Sequence, residues 1–110
     1  MTTQEKFTRK KEVRQLINSM LNRLEKQMSL GIFPATMARL SGIRFMRNRL
    51  AFLEQASLEA HYRLVVSQET MIRQLMPGTE TKFVKFRHQL LELIAESKNY
   101  FEVPNLKRYA

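Results

Sequence analysis

Apolar residues recur at helical spacing along most of the chain, and no segment alternates apolar and polar positions as a half-buried strand does. The first apolar stripe predicts a helix over residues 12–30, which Gly31 and Pro34 separate from the next one. The members of this stripe are Val13, Ile17, Met20, Leu24 and Met28. The fold class that the pattern predicts is all-α.

A second stripe, over residues 35–76, places apolar or small residues at the a and d positions of a heptad and predicts a long middle helix. At 1.5 Å per residue, this helix would be about 60 Å long. Two alternatives stay open. The helix either continues as an elongated spine, or breaks near Ser41-Gly42 or Gln55–Ser57 and closes a compact bundle. Pro77-Gly78 ends it.

A third helix is predicted over residues 80–101, followed by an aromatic tail over residues 102–110 that contains Pro104. Short turns at 30–34 and 77–79 would make both shorter helices antiparallel to the middle one. The predicted architecture is therefore a single domain, residues 1–110, with three antiparallel helices arranged around the middle helix.

The middle helix is apolar on more sides than two short companions can cover, which is typical of a helix inside a bundle or a subunit interface. A second copy of the chain is the simplest cover, so we predict a homodimer. The residues predicted to mediate self-association are Phe52, Leu58, Tyr62 and Val65.

The charge is strongly positive and unevenly distributed. The chain has 19 Lys and Arg against 10 acidic residues, all of them Glu, for a net charge of +9. Residues 1–49 carry a net +8 and residues 50–110 a net +1. Such a protein is attracted to polyanions, namely nucleic acid, anionic membranes or acidic protein surfaces.

The first cluster of positive charge precedes the apolar stripe. Because that stripe stops at Val13, residues 1–11 are predicted to form a basic arm, either frayed or a projecting helical extension. Deleting residues 2–11 would then leave the melting temperature nearly unchanged. The cluster consists of Lys6, Arg9, Lys10, Lys11 and Arg14, which are predicted to contact phosphates or an acidic partner.

The second cluster contains arginine alone, at Arg39, Arg44, Arg47 and Arg49, and residues 35–53 hold no acid that would pair with it. The planar guanidinium suits phosphates and base edges. Ala38 and Gly42 also have the spacing found at helix-turn-helix turns, which would make Arg44–Arg49 a recognition helix. The uninterrupted heptad argues against a turn there.

Catalytic and metal sites have little support in the sequence. The chain lacks Cys and Asp, and its two histidines are His61 and His88. His88 and Glu92 share a helical face, but two further metal ligands would have to come from elsewhere. His61 is predicted to be a partly buried packing residue. We therefore expect no enzymatic activity, no metal and no cofactor.

No secretory signal and no apolar run of about 18 residues is present, so a cytoplasmic location without a membrane span is expected. The cations of the first helix do not form one clean polar face, which disfavours a peripheral membrane helix.

Two function hypotheses remain. The leading one is a non-enzymatic accessory protein that binds DNA or RNA phosphates through its N-terminal half. The alternative is a helical interaction module, such as an adaptor, chaperone or phage-type inhibitor, that docks its basic face on an acidic protein.

Overall fold

The computed structural model describes residues 1–31, 34–75 and 81–109, apart from the side chains at 71, 74, 75, 81–83, 86 and 100–109. All regular structure in these ranges is helical, which confirms the all-α fold class. The helices are α1 (Thr3–Ser29), α2 (Met37–Phe52), α3 (Leu58–Ser67), α4 (Glu69–Leu75) and α5 (Thr81–Tyr109). The predicted turn at 77–79 lies outside the described residues.

Helix α1 begins well before residue 12, so the predicted basic arm is helical. The hydroxyl of Thr2 accepts a hydrogen bond of 3.1 Å from the backbone N–H of Glu5, and the Glu5 carboxylate lies in the positively polarised first turn. At the other end, the N–H of Leu30 donates to the Lys26 carbonyl at 3.0 Å. Gly31 then takes a left-handed φ of 76°, a conformation that favours glycine and ends the helix.

The long middle helix is interrupted. Helix α2 runs without a break through Ser41-Gly42 and ends at Phe52, and residues 53–57 lead into α3. This interruption lies at the second of the two places that the sequence left open, and a further one at Gln68 separates α3 from α4. Ser57, which the heptad places at a core position, instead caps α3, because its hydroxyl accepts a hydrogen bond of 3.2 Å from the N–H of Ala60.

The chain divides into two compact units, Met1–His61 and Tyr62–Ala110, which we call the first and second unit. In the first unit, α1 and α2 pack against each other. They run antiparallel, since Arg14 meets the C-terminal end of α2 while Glu25, later in α1, meets Arg47. The buried apolar residues of this unit are Val13, Ile17, Met20, Leu21, Leu24, Met28, Ile43, Met46, Leu50 and Leu58.

In the second unit, the hydroxyl of Tyr62 donates to Glu96 at 3.1 Å. The carboxylate of Glu69 contacts Lys98 at 2.8 Å and Arg73 at 3.0 Å, and these hydrogen bonds, the Lys98 bond first, lower the pKa of Glu69. The buried apolar residues of this unit are Tyr62, Leu64, Val65, Ile72, Leu90, Leu93 and Ile94.

Helix α5 continues to Tyr109, beyond the end at residue 101 that the sequence predicts. Proline lacks an N–H and removes one helical hydrogen bond, but it does not forbid helical backbone on both sides of it. Pro104 therefore lies inside α5, and the predicted tail at 102–109 is part of that helix.

Candidate nucleic-acid interface

Three cations of the N-terminal cluster bind within the first unit. Lys10 donates to the carbonyls of Glu54 and Ala56 at 2.9 and 3.0 Å, and Arg14 donates to the Leu50 carbonyl at 2.7 Å. Lys6 forms an ion pair of 3.0 Å with Glu59. Two of these groups are thus bound to backbone carbonyls at and just beyond the C-terminal end of α2, where a helix leaves acceptors unpaired and carries partial negative charge.

The other two members of this cluster have neighbours on α1 itself. Arg9 pairs with Glu12 at 3.1 Å, and the ammonium of Lys11 lies 5.2 Å from the ring centroid of Phe7. Residues 1–11 are helical from Thr3 onward, as the second of the two predicted alternatives has it, but the segment does not project freely, because Lys6 and Lys10 contact residues 54–59.

His61 is fully buried and hydrogen-bonded through both ring nitrogens. Its Nε2 lies 2.9 Å from an Arg14 guanidinium nitrogen, and its Nδ1 lies 2.8 Å from the Ser57 carbonyl. Since arginine only donates and a carbonyl only accepts, the ring is neutral with its proton on Nδ1. Burial lowers the pKa of His61; the bond to Ser57 partly offsets this, and the charges of Arg14 and Lys10 lower it further.

The arginine cluster on α2 divides into held and outward-facing members. Arg47 donates to Glu25 and Asn22, both at 2.9 Å, and Arg39 donates to the Pro34 carbonyl at 2.9 Å. Arg44 is exposed and contacts no acid among the residues that the structure describes. The guanidinium of Arg49 lies 5.4 Å from the ring centroid of Phe52.

The side of α2 that faces solvent combines these two arginines with large apolar side chains. The core side of the helix carries Gly42, Ile43, Met46 and Leu50. The opposite side, which we call the α2 outer face, carries Met37, Ser41, Arg44, Phe45, Asn48, Arg49 and Phe52. Residues 35–53 hold no acid, so this face has positive charge and apolar surface but no negative charge of its own.

The helix-turn-helix hypothesis is wrong, because α2 is continuous where the turn would have to lie and Gly42 is buried on its inner side. Of the four residues predicted to mediate self-association, only Phe52 is exposed. Leu58, Tyr62 and Val65 are buried within their own chain and so need no second copy, whereas Phe52 is 77% exposed.

Phe45 was not among the predicted site residues, yet it lies on the α2 outer face with 46% of its surface exposed. The sequence could have identified it, because Phe45 lies four residues before Arg49 and seven before Phe52, and residues at this spacing share one side of a helix. His88 and Glu92, for which the sequence favours a surface pair over a metal site, lie 2.9 Å apart on an exposed side of α5. Within the described ranges, no three potential metal-ligating side chains come together.

Over the same ranges, none of the helices has both the length and the apolar character needed to cross a membrane. The chain matches no protein-family model, no curated protein and no solved structure. A functional proposal therefore rests on the geometry of the first unit.

Proposed function

We propose that the protein is a small, non-enzymatic nucleic-acid-binding protein that contacts phosphates through the α2 outer face. The observation that carries this proposal is the exposed pair Arg44 and Arg49 on a helix face that has no acid of its own. Lys6, Lys10 and Arg14 contribute to the net charge that attracts a polyanion, but each of them already donates to a partner within the first unit. The phosphate contacts are therefore assigned to α2.

The salt dependence of binding tests this proposal. If phosphates are the ligand, the logarithm of the affinity falls linearly with the logarithm of the salt concentration, with a slope of roughly −0.9 per duplex phosphate or −0.7 per single-strand phosphate. Arg44→Glu should weaken every sequence by a similar factor and make the slope shallower by about one contact. Gel shift at several salt concentrations measures both effects.

Lys85→Glu is the matched control, because Lys85 is an exposed cation in the second unit and its reversal changes the net charge by the same amount. It should affect binding less than Arg44→Glu does. Equal effects would mean that only net charge matters. No binding to duplex or single strands at about 50 mM salt would overturn the proposal, since a protein with net charge +9 and an exposed cationic face should bind there.

The alternative function, a helical module that docks on an acidic protein, draws support from the exposed apolar side chains beside these arginines. Phe45 and Phe52 would fit apolar pockets of a partner whose rim is acidic. Affinity purification from the native host with and without nuclease distinguishes the two functions. Protein partners that survive nuclease treatment and are lost with Arg44→Glu would favour the module.

The homodimer stays a prediction. With Leu58, Tyr62 and Val65 covered within the chain, its support reduces to the exposed apolar residues of α2. Sedimentation equilibrium should show about twice 13.1 kDa if the dimer forms. A dimer through the α2 outer face itself would place arginines of two copies together with no acid from residues 35–53 to neutralise them.

A further inference from the structure

Two phenyl rings and one guanidinium, at Phe45, Arg49 and Phe52, lie along one side of the α2 outer face, and we call them the ridge. Phe45 and Phe52 lie two helical turns apart on the same side, about 10.5 Å along the axis, and are 46% and 77% exposed. Arg49 lies one turn from each of them, with its guanidinium 5.4 Å from the Phe52 centroid. The ridge therefore alternates aromatic, cation and aromatic along the helix.

The charge of this ridge limits what can cover it. A second copy would bring like charges together, and an apolar partner would leave Arg44 and Arg49 unpaired at the contact. A polyanion neutralises both arginines. The occupant must also offer apolar surface to two phenyl rings that have no hydrogen-bonding atom of their own, and flat groups can stack on such rings.

Single-stranded nucleic acid meets both requirements. Each nucleotide supplies one phosphate and one base with an open π-face, whereas the base faces of a duplex are covered by their neighbours in the stack. A phenyl ring has no group that reads the edge of a base pair in a groove, but it stacks on any unpaired base.

We infer that Phe45, Arg49 and Phe52 form a stacking platform for single-stranded DNA or RNA, in which the rings stack on bases and the arginine contacts the intervening phosphates. The inference rests on the proposed function. It adds that the α2 outer face prefers single-stranded nucleic acid to a duplex. It also gives the exposed phenyl rings of α2 a role, namely stacking on bases, whereas phosphate binding alone would need only the arginines.

Fluorescence anisotropy with a labelled oligonucleotide, single-stranded and as the matching duplex, tests the platform. Phe52→Leu keeps an apolar side chain but removes the π-face, so it should weaken single-strand binding about tenfold and leave duplex binding nearly unchanged. Phe52→Tyr keeps the ring and should retain wild-type affinity. Phe7→Leu is the matched control, because Phe7 is a 52% exposed phenyl with a lysine over it, on α1 rather than on the ridge.

A direct signal comes from Phe52→Trp. The chain has no tryptophan, so the new indole would be the sole one. Its emission should be quenched by the unlabelled single strand and much less by the duplex. Circular dichroism of each variant verifies folding, which should be unaffected because Phe52 is exposed.

The outcomes separate the platform from the proposed function. Equal affinity for single strands and duplex, with no effect of Phe52→Leu, would overturn the platform and leave phosphate binding standing. Loss of all binding at about 50 mM salt would overturn both. Self-association of the wild type that disappears in Phe52→Leu would show that a second copy covers the rings, which also overturns the platform.

Discussion

The two basic clusters of the first unit are similar in sequence and different in structure. In the N-terminal cluster, Lys10 and Arg14 donate to backbone carbonyls at the end of α2 and beyond it. In the α2 cluster, Arg44 and Arg49 point to solvent from the side opposite the core. Positive charge thus supports folding in the N-terminal cluster, whereas two arginines of the α2 cluster are available for a ligand.

The difference has a physical origin in the break at residues 53–57. A helix that ends leaves carbonyls without N–H partners, and these carbonyls can accept hydrogen bonds from side chains. Helix α1 runs antiparallel to α2 and brings its first three turns to that end, so its lysine and arginine side chains supply the donors. No such acceptors face the outer side of α2, because its own helical hydrogen bonds satisfy its backbone there.

The largest expected effect is that of removing the N-terminal cluster. Deleting residues 2–11 removes the Thr2 cap, the Lys6–Glu59 ion pair and the Lys10 bonds to two carbonyls. We expect a loss of about 3 kcal/mol of unfolding free energy, measured by urea denaturation. This replaces the expectation of an unchanged melting temperature. If stability does not change, the cluster is not structural and the comparison fails.

A second test exchanges one arginine from each cluster for methionine. Arg14→Met leaves the buried His61 Nε2 and the Leu50 carbonyl without a donor, and should lower the unfolding free energy by about 2 kcal/mol. Arg44→Met should change it by less than about 0.5 kcal/mol, since Arg44 is exposed.

Oligonucleotide affinity should show the opposite order for these two variants, at a temperature where both stay folded. Arg44→Met should weaken binding more than Arg14→Met does, because Nη1 of Arg14 already donates to the Leu50 carbonyl and to His61 in the free protein. A larger loss of affinity in Arg14→Met would contradict the division of the clusters into structural and binding groups.

The sequence predicted the helical elements better than it predicted the roles of their charges. The stripes around Ile17 and Leu93 identified buried faces, because apolar spacing reports directly which side of a helix is covered. The break at residues 55–57 stayed one of several alternatives, since Ser57 fits a weak heptad position as well as a cap.

The roles of the cations could not be predicted because they depend on that break. Lys10 looks like a projecting charge until the turn at residues 53–57 brings the carbonyls of Glu54 and Ala56 to it. Likewise, the neutral state of His61 follows from Arg14, a residue 47 positions away in the chain. Long-range polar contacts of this kind leave no periodic pattern in the sequence.

The smallest expected effect is the pH dependence of folding stability, which should arise at His61 beside the N-terminal cluster and not at the α2 cluster. Folding lowers the pKa of His61 below its ordinary value of 6.5, so between the two values the unfolded chain binds a proton that the folded chain does not. The stability that the neutral ring contributes is fully present above pH 6.5 and is lost as the pH falls below it, with a slope of at most about 1.4 kcal/mol per pH unit.

Glu69 does not obscure this window. Its lowered pKa contributes stability that is present above the ordinary value of 4.5 and is lost only at lower pH, so a decline between pH 6.5 and 4.5 belongs to His61. Melting temperatures of the wild type and His61→Gln across this range measure it, and the variant should lack the decline. The salt slope for oligonucleotide binding by the folded protein should stay constant over the same range, because the phosphate contacts are assigned to Arg44 and Arg49 and not to Arg14 and Lys10, the cations beside His61. A slope that changed together with the His61 titration would mean that the N-terminal cluster takes part in binding after all.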